Sequence, residues 1–564
     1  MNPPATHGYL DGPRPVFASY HAPRGIVRDI RWILCAPHGW EGIQSYETVK
    51  LLADELAASG FHAVRVHYDG TGESFGTDED PDRVAAWTES IRRAVAALGA
   101  GPVGLVGLRI GATLAGAVAA THALEALVLW EPCVSGAHYT REMEILASAS
   151  PRAVKDGQAA QALGIEAGGY LLTPETVASL NAIDLMKTAF AGAPKVLVLG
   201  RDDRPPLFAK KLADRLEGAA FAQVPGYKEL MTYPEKAKPG VAMVERIRDW
   251  ALGVSSTGDY GGLTLAAEAT WNETRRRPIR FGPESRLLGV LTEPALPATK
   301  TKRPVLLLTG GVVPRTSVNR MYVVLATRLA EMGHRVLRMD VSGICESPPA
   351  PGAAPNDPHA ASLLDDARAA VSLLLEDGGG EIAMLGLCSG AYASFQTALA
   401  DERVRSITLL NPEVFHLADG SPKFSQTEQS HAASHYKKSL LSPAAWKKLL
   451  TGKANVGYIA GFALAKAKTT IETARERIEA RVKKTPQGLA GDLHRLLARG
   501  VAVAIVMAEN DSGYDALMAQ LSADLERLKS EGLRFKLTPG PDHTFNDFST
   551  RLPLVEWLVE VLAS

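Results

Sequence analysis

Two short runs of the sequence share one pattern, and only one of them carries a residue that can act as a nucleophile. The run IAMLGLCSGAY places Cys388 between Gly386 and Gly390, after an apolar segment typical of a strand. The run VGLVGLRIGAT places Arg109 at the corresponding position. A sharp strand-to-helix turn needs small flanking residues and exposes its central side chain at a helix N-terminus. A thiol there can attack a carbonyl carbon, whereas a guanidinium cannot.

Candidate partners for Cys388 follow it in the order nucleophile, acid, base. The run VAVAIVMAENDSG places Asp511 just after a strand-like segment, and FKLTPGPDHTFND places His543 in the loop after the last one. In such a triad the imidazole takes the proton of the nucleophile, and the carboxylate orients the imidazole. The spacing therefore predicts a catalytic set of Cys388, His543 and Asp511. The alternative for Cys388 is a small, buried and inert packing residue.

Acyl transfer also needs backbone N–H groups aimed at the charge that develops on the carbonyl oxygen. We expect one oxyanion-hole donor from Ser389, directly after the nucleophile, and a second from Gly311 or Val312 in the run LLLTGGVVPR. Two arginines flank this loop, Arg315 and Arg320. They either bind a carboxylate or phosphate of the substrate or cap helices.

The N-terminal half lacks the residues for the same chemistry. Arg109 replaces the nucleophile, and aligning VPGYKELM with TPGPDHTF puts Glu229 where the base would be. Because an unpaired buried charge is costly, we expect Arg109 to pair with Glu229, Asp202 or Asp203. The alternative is that Arg109 binds a carboxylate of a substrate or ligand.

Strand-like and helix-like segments alternate in both halves, which predicts mostly parallel sheets covered by helices. We therefore expect an α/β fold made of two fused α/β-hydrolase domains, each with a helical cap insertion. The Gly- and Ser-rich run of residues 253–262 predicts a linker. Residues 1–255 are expected to form a domain without a nucleophile, and residues 266–564 the catalytic domain, with its cap at about 415–497. We expect the two domains to pack against each other.

Composition excludes several classes of protein. The 564 residues are 46% apolar and 22% charged, with a formal net charge of −1, as in an ordinary soluble globular protein. That charge gives no argument for nucleic-acid binding. We find no secretory signal and no apolar run long enough to span a membrane. Four cysteines without paired spacing favour a reduced, cytoplasmic protein. We predict neither a metal nor a cofactor.

One segment of this nearly neutral chain is strongly basic. Between Tyr436 and Lys484 the sequence has twelve Lys and Arg residues and three Glu residues. A solvated helical face is one interpretation. The other is a docking surface for an acidic partner, such as an acyl carrier protein or an anionic membrane.

Several motifs resemble one family. The C-terminal half resembles the exosortase A system-associated hydrolases of the first type in TGG, GLCSGAY, LLNPEVF, HYKKSLLSPAAWKKLLTGKANV and PGPDHTF. The N-terminal half resembles the second type in HYDGTGES, GLRIGA, LVLWEPCVSGAHY and EAGGYLL. The resemblance implies two α/β-hydrolase folds, separate in the relatives and fused here, with a site at Cys388, Asp511 and His543. It implies little about substrate, and Ser389 departs from the acidic residue that the relatives tend to have.

These observations predict an enzyme of acyl transfer that works through a thioester at Cys388. An esterase, a thioesterase and an acyltransferase acting on a small-molecule acyl substrate all fit this chemistry. The alternative is a non-catalytic ligand-binding or scaffold protein built from two such folds.

Overall fold

The computed structural model describes most of the chain, in seven ranges. These are residues 4–148, 163–192, 194–296, 302–376, 380–417, 488–539 and 542–563. The basic segment from Tyr436 to Lys484 and most of the predicted cap therefore lie outside the described residues. None of the helices in the described ranges is long and apolar enough to cross a membrane.

The N-terminal half holds an eight-stranded sheet and a separate two-stranded hairpin. The strands are β1 (Thr6–Leu10), β2 (Val16–His21), β3 (Arg31–Cys35), β4 (Ala63–Val66), β5 (Val103–Leu108), β6 (Ala126–Trp130), β7 (Ile165–Ala167), β8 (Tyr170–Leu172), β9 (Lys195–Arg201) and β10 (Ala220–Val224). The sheet order is β1-β2-β4-β3-β5-β6-β9-β10, and β7 pairs with β8. The first two strands are antiparallel to their neighbours, and the strands from β4 onward pair in parallel.

The C-terminal half holds a nine-stranded sheet of the same design. Its strands are β11 (Ala269–Trp271), β12 (Thr274–Phe281), β13 (Leu287–Pro294), β14 (Val305–Leu308), β15 (Val336–Asp340), β16 (Ile382–Leu387), β17 (Val404–Leu410), β18 (Ala502–Ala508) and β19 (Arg534–Thr538). The order is β11-β12-β13-β15-β14-β16-β17-β18-β19. Apart from the extra edge strand β11, it repeats the order of the first sheet. The two halves therefore share one topology.

Helices cover both sheets. In the N-terminal half they are α1 (Trp40–Gln44), α2 (Tyr46–Ala58), α3 (Arg83–Ala97), α4 (Ile110–Ala119), α5 (Gly136–Ser148), α6 (Pro174–Asn181), α7 (Leu207–Arg215), α8 (Tyr227–Leu230) and α9 (Val241–Val254). In the C-terminal half they are α10 (Met321–Glu331), α11 (Leu363–Leu374), α12 (Ser389–Ala400), α13 (Gly488–Ala498), α14 (Ser512–Leu521), α15 (Leu525–Ser530) and α16 (Phe548–Ala563). Short 3₁₀ turns span Pro283–Ser285 and Val318–Arg320.

The central strands are apolar on both sides because helices bury both faces of each sheet. In β3, Ile33 joins one buried cluster, while Trp32 and Leu34 join another on the opposite face. In β14 the same alternation separates Leu306 from Leu307. Successive side chains of a strand point to opposite faces, so a continuous apolar run marks a strand covered twice. The predicted α/β fold with helices on both faces is confirmed.

The segment predicted as a linker runs along the N-terminal half. The amide of Asp29 donates to the carbonyl oxygen of Ser256, and Thr257 forms a β-bridge with Arg28. The Tyr260 ring lies under the guanidinium of Arg31. These contacts tie the connecting chain to the first sheet over much of its length.

The two halves are in contact, as expected, through loops that follow the carboxyl ends of their strands. Arg65 at β4 forms an ion pair with Glu346 after β15, at 2.7 Å. Arg338 on β15 forms one with Glu73 after β4, at 2.8 Å. In parallel α/β sheets this edge is where functional loops gather. The functional edges of both halves therefore lie next to their mutual contact.

Candidate active site

Cys388 lies at a sharp turn between β16 and α12. Its backbone has φ 52° and ψ −113°, and its side chain is partly exposed. The flanking glycines are required by space: a Cβ on Gly386 would lie 2.0 Å from the carbonyl oxygen of Gly390, and a Cβ on Gly390 would lie 2.2 Å from that of Leu308. Only residues without a Cβ let the helix start this close to the sheet. The turn holds the thiol at the N-terminus of α12.

The structure brings His543 and Asp511 to this thiol. Asp511 caps α14, where its Oδ1 accepts a hydrogen bond from Gly513 N at 2.7 Å. Its other oxygen, Oδ2, is hydrogen-bonded to Nδ1 of His543. The imidazole also contacts Cys388. The three residues predicted from the sequence thus form a continuous chain of contacts across three separate loops.

The electrostatics of His543 favour its charged form. Burial alone would lower the pKa of His543, but the neighbouring Cys388 and the Asp511 carboxylate outweigh it. The pKa of His543 is therefore raised well above its ordinary value of 6.5. An imidazolium beside a thiol stabilises the thiolate, which is the nucleophilic form of cysteine. The arrangement can therefore supply a nucleophile and a proton donor.

Asn411 holds the loop of His543, and sequence reasoning missed it. This buried residue follows β17 and has a positive φ of 40°. Its side-chain Nδ2 donates to the carbonyl oxygen of His543 at 2.6 Å, and its Oδ1 accepts from Ala508 N at 2.7 Å. The side chain therefore bridges the end of β18 to the histidine loop. The signal in the sequence was an Asn at a strand end, in LLNPEVF, where polar residues at parallel strand ends point to function.

A second carboxylate, Glu413, was also missed. Its Oε1 lies 3.8 Å from Nδ1 of His543. Donor atoms of Cys388, Glu413 and His543 lie within 4.8 Å of one another, a spacing found in metal sites. Thiolate, imidazole and carboxylate together suit a divalent ion such as Zn²⁺. The sequence predicted no metal. Because an ion here would occupy the nucleophile and its base, it would compete with the chemistry proposed below.

The predicted oxyanion loop lies against the nucleophile turn. A Cβ on Gly310 would lie 2.6 Å from Cβ of Cys388, so only glycine permits this approach. Gly311, with φ 61°, donates its amide to the hydroxyl oxygen of Ser389 at 3.1 Å. The sequence predicted the amide of Gly311 or Val312 as the second oxyanion-hole donor. Because the Gly311 amide binds the Ser389 hydroxyl, the amide of Val312 is the remaining candidate.

Arg315 and Arg320, predicted to bind substrate or to cap helices, lie in the contact between the halves. Arg315 is buried and pairs with Asp340 at 2.7 Å and with Glu73 of the N-terminal half at 3.0 Å. Arg320 is buried and donates to carbonyl oxygens of residues 70, 72, 74 and 76. Both guanidiniums therefore bind groups of the protein itself. The sequence of the C-terminal half alone contains no sign of these contacts with the N-terminal half.

The N-terminal half has the same strand-to-helix turn, with Arg109 at the position that corresponds to Cys388. Arg109, between β5 and α4, has φ 56° and ψ −122°. Its Nε donates to Oε1 of Glu41 at 3.0 Å, and its Nη2 is paired with Glu142. The expectation of a carboxylate partner is confirmed, but the expected partners Glu229, Asp202 and Asp203 were wrong.

The physical reason is the geometry of the loops. Asp203 pairs with Arg201 two residues away, and Glu229 is exposed on the short helix α8. Glu41 instead lies on α1, after the loop that follows β3, where its carboxylate accepts a hydrogen bond from Arg109. Burial raises the pKa of Glu41 in spite of the adjacent guanidinium of Arg109. The position of the nucleophile is thus occupied by an internal ion pair.

The other three cysteines differ from Cys388. Cys35, Cys133 and Cys345 are buried, and burial raises the pKa of each thiol. A buried neutral thiol is a poor nucleophile. Since the structure describes all four cysteines, Cys388 is the most accessible of them. A thiol reagent should therefore distinguish it.

Comparison with known proteins supports the fold. Residues 303–439 match the family model described as the alpha/beta hydrolase fold. The α/β-hydrolase fold predicted from the sequence is confirmed. The sequence comparison with curated proteins gives no match.

Among solved structures, the chain is similar to Est1E from Butyrivibrio proteoclasticus with bound ferulic acid (18% identity, 43% of this chain, 98% of that one, TM-score 0.36). It is also similar to a proline iminopeptidase from Mycobacterium smegmatis (14%, 44% and 98%, TM-score 0.32). A putative hydrolase from Agrobacterium vitis gives 19% identity over 44% and 98% of the two chains, with a TM-score of 0.33. At these values the substrates of those proteins say nothing about the substrate of this one.

Proposed function

We propose that this protein is an acyl-transfer enzyme that forms a thioester on Cys388. The observation that carries the proposal is the chain of contacts from the thiol at the turn through His543 to Asp511. A nucleophile, a base and a group that orients the base are the parts that covalent acyl transfer requires. Esterase, thioesterase and acyltransferase outcomes share this first step.

In the first step, the Cys388 sulfur attacks the carbonyl carbon of an ester or thioester, and the thiol proton resides on His543. The carbonyl oxygen becomes an oxyanion, held by the amides of Ser389 and Val312. The intermediate collapses as the bond to the leaving alcohol or thiol breaks, and His543 returns its proton to that group. Asp511 keeps the imidazole oriented and stabilises its charge.

In the second step, water or another nucleophile attacks the thioester. His543 takes a proton from the incoming group, the new bond to the carbonyl carbon forms, and the bond to sulfur breaks. Attack by water completes a hydrolysis, and attack by a bound alcohol, amine or thiol completes a transfer. Thioesters are open to all of these acceptors, so cysteine suits either outcome.

We also propose that only one of the two halves is catalytic. Residues 266–564 would form the catalytic domain, and residues 1–255 a domain without a nucleophile. The support is the ion pair that Arg109 forms with Glu41 and Glu142 where a nucleophile would stand. The residue at the turn is thus a cation that cannot attack a carbonyl, and the two carboxylates beside it are engaged by its guanidinium.

The experiment is intact mass spectrometry after short incubation with a panel of p-nitrophenyl esters and acyl thioesters. We expect a single adduct of acyl mass, mapped by peptide digestion to Cys388, and a burst of p-nitrophenol equal to the enzyme concentration. The Cys388→Ala variant is the control and should show neither. The mass of the adduct that persists longest would report the preferred acyl class.

The panel also separates the alternatives. A scaffold protein would show no adduct and no burst with any ester, although iodoacetamide would still alkylate an accessible thiol. Adding hydroxylamine or short alcohols distinguishes hydrolysis from transfer. An acceptor that shortens the life of the adduct and appears in the product favours a transferase.

A further inference from the structure

Equivalent loops of the two halves carry equivalent glutamates. The run HYDGTGES follows β4, and DVSGICES ends β15 and its loop. Ser74 Oγ donates to the carbonyl oxygen of His67, and Ser347 Oγ donates to that of Asp340, seven residues back in each case. The two loops therefore have the same fold. Glu73 and Glu346, each directly before its serine, occupy corresponding places.

Each of these glutamates reaches into the other half. Glu346 pairs with Arg65 on β4, and Glu73 pairs with Arg338 on β15. Arg65 and Arg338 are the third residues of corresponding strands. A contact in which each partner offers the same group to the other is isologous, as in a two-fold dimer. The two halves thus meet like the subunits of a symmetric dimer.

The symmetry is broken at one functional position. Glu73 lies 3.0 Å from Nε of Arg315, which belongs to the segment of residues 309–320, here called the oxyanion loop. Arg315 in turn donates its backbone amide and its Nη1 to Asp340, both at 2.7 Å. Glu346 instead accepts from the hydroxyl of Tyr46. Glu73 therefore forms a direct ion pair with the loop beside Cys388, whereas Glu346 forms its ion pair and its hydrogen bond with residues of the N-terminal half.

The oxyanion loop has a backbone that needs support. Ser317, Asn319 and Arg320 all have positive φ values, of 62°, 51° and 58°. Such conformations are unfavourable for residues with a Cβ and persist where the surroundings hold them. Arg320 donates four hydrogen bonds, of 2.5 to 3.0 Å, to backbone carbonyl oxygens of residues 70–76 in the N-terminal half. The partner half therefore supplies much of what holds this loop.

Contacts continue to both sides of the active site. Val313 and Val318 of the oxyanion loop pack against Ile43 of the N-terminal half. Asn319 donates to the carbonyl oxygen of Phe545, in the loop that carries His543. The amide of Phe548 donates to a carboxylate oxygen of Glu166 in β7. The N-terminal half is thus in contact with both loops that position the proposed chemistry.

We propose that the N-terminal half positions the oxyanion loop of the C-terminal half, with Glu73 as the positioning residue. This inference rests on the proposed function, because an oxyanion forms only if Cys388 attacks a carbonyl. It assigns a role to a domain that has lost its nucleophile: the domain is an internal partner that completes the active site of the other. Glu73 does not touch substrate and acts through Arg315.

The experiment compares two reactions of Cys388 in the intact chain. Acylation by p-nitrophenyl acetate passes through an oxyanion, whereas alkylation by iodoacetamide forms none. For Glu73→Gln we expect the acylation rate constant to fall about tenfold, in line with partial loss of oxyanion stabilisation. Its alkylation rate should stay within about twofold of the original, since the thiol and His543 are untouched.

Glu346→Gln is the matched control. It breaks the corresponding buried ion pair in the same contact by the same change, but keeps the direct ion pair between Glu73 and Arg315. We expect its acylation rate to fall less than about threefold. Equal loss of acylation in the two variants, or equal loss of both reactions in Glu73→Gln, would show a merely structural effect and overturn the proposal. Unchanged acylation in Glu73→Gln would overturn it as well.

Two further measurements keep the outcome clear. If Glu73→Gln does not fold, Arg315→Lys, which keeps the charge but lacks the Nε that lies 3.0 Å from Glu73, should show the same selective loss. Absence of acylation in the unsubstituted protein would overturn the proposed function itself, and would be seen before any variant is compared. A selective loss in Glu73→Gln can arise only when acylation by the unsubstituted protein is established.

Discussion

The two nucleophile turns have nearly the same backbone and opposite chemistry. Arg109 has φ 56° and ψ −122°, and Cys388 has φ 52° and ψ −113°. In both, glycines let the following helix approach the sheet, since a Cβ on Gly111 would lie 2.1 Å from the carbonyl oxygen of Cys35, much as at Gly390. The strained turn is therefore a property of how helix and sheet pack. It persists whether or not a nucleophile stands on it.

What differs is the charge placed around each turn. Cys388 has an imidazole beside it whose own carboxylate partner, Asp511, orients it. Arg109 has two carboxylates, Glu41 and Glu142, in direct contact. A thiol needs a base to become reactive, whereas a guanidinium needs counter-charges to be buried at all. The same fold thus supports either a reactive group or an internal ion pair.

We expect substitution at Cys388 to change turnover the most, and substitution at the corresponding Arg109 to change it little. Cys388→Ala should lower the turnover of the best ester by about four orders of magnitude or more, because losing a nucleophile removes the covalent route. Arg109→Ala should change kcat/KM by less than about threefold, because in the part of the chain that the structure describes its guanidinium pairs with Glu41 and Glu142 rather than with the proposed reacting groups. Both are measured as kcat and KM, with circular dichroism to verify the fold.

The predictions for the Cys388 and Arg109 variants can be contradicted separately. Near-normal turnover in Cys388→Ala would exclude the thioester mechanism. A raised KM in Arg109→Ala, at unchanged stability, would return Arg109 to the role of binding a substrate carboxylate. A loss of kcat in Arg109→Ala would indicate that the N-terminal turn takes part in catalysis.

The second prediction concerns the ion pair that replaces the nucleophile. Arg109→Met leaves two neighbouring carboxylates without their counter-charge, so we expect the free energy of unfolding to fall by about 2–4 kcal/mol. The value is set below the usual cost for a buried pair because Glu142 is partly exposed. Thermal unfolding should show a Tm lower by roughly 5–10 °C in a domain of this size.

The matched control is Arg92→Met, which breaks an exposed pair with Glu89 on α3. Its Tm should change by about 1 °C or less. Since burial raises the pKa of Glu41, a modestly acidic buffer should protonate it and reduce the loss in Arg109→Met. Equal Tm values for the two variants would show that the Arg109 pair contributes nothing to stability.

The third prediction concerns pH and the contact between the halves. Burial would raise the pKa of Glu73, but Arg338 and Arg315 outweigh it and lower the pKa from 4.5 to about 2. A carboxyl whose pKa is lowered in the folded state stabilises the protein above its unfolded pKa. That stabilisation, about 3 kcal/mol, should be lost as pH falls from roughly 4.5 to 2.

Urea unfolding at pH 6 and pH 3 measures this effect. The unsubstituted protein should lose more stability between the two pH values than Glu73→Gln, because glutamine does not titrate. Glu89→Gln, on the exposed face of α3, should behave like the unsubstituted protein. Parallel loss in all three would mean that other carboxyl groups control the acid sensitivity.

Much of the architecture could be predicted because local patterns determine it. Strands were expected directly before Cys388 and Asp511, and the structure has Ile382–Leu387 and Ala502–Ala508 there. The antiparallel strands β1 and β2 at the sheet edge were missed. Their half-polar sequences, such as THGYL, do not form the continuous apolar runs that mark central strands.

The candidate triad could be predicted from the order of its residues along the chain. The ion-pair partners of the arginines could not, because they come from distant segments. Cys388, Asp511 and His543 sit at strand ends whose sequence order identifies them. The partners of Arg109 could not be predicted in this way, because Glu41 and Glu142 lie on helices α1 and α5, which follow other strands. Arg315 and Arg320 were expected to bind substrate or to cap helices, because their contacts with the N-terminal half could not be inferred from their own half. A sequence read one domain at a time does not reveal contacts between domains.

We expect a smaller effect, on the acylation rate, from substitution at Ser389, the residue that follows Cys388 and corresponds to Ile110. Ser389 accepts a hydrogen bond from Gly311 N, whereas Ile110 at the corresponding place has no such group. Ser389→Ala keeps the backbone amide but releases the loop, so we expect acylation by p-nitrophenyl acetate to fall about threefold to tenfold. Ser389→Thr, which retains the hydroxyl, is the control and should fall less. If acylation rises instead, the Gly311 amide that serine held becomes the second oxyanion donor, and Val312 is excluded from that role.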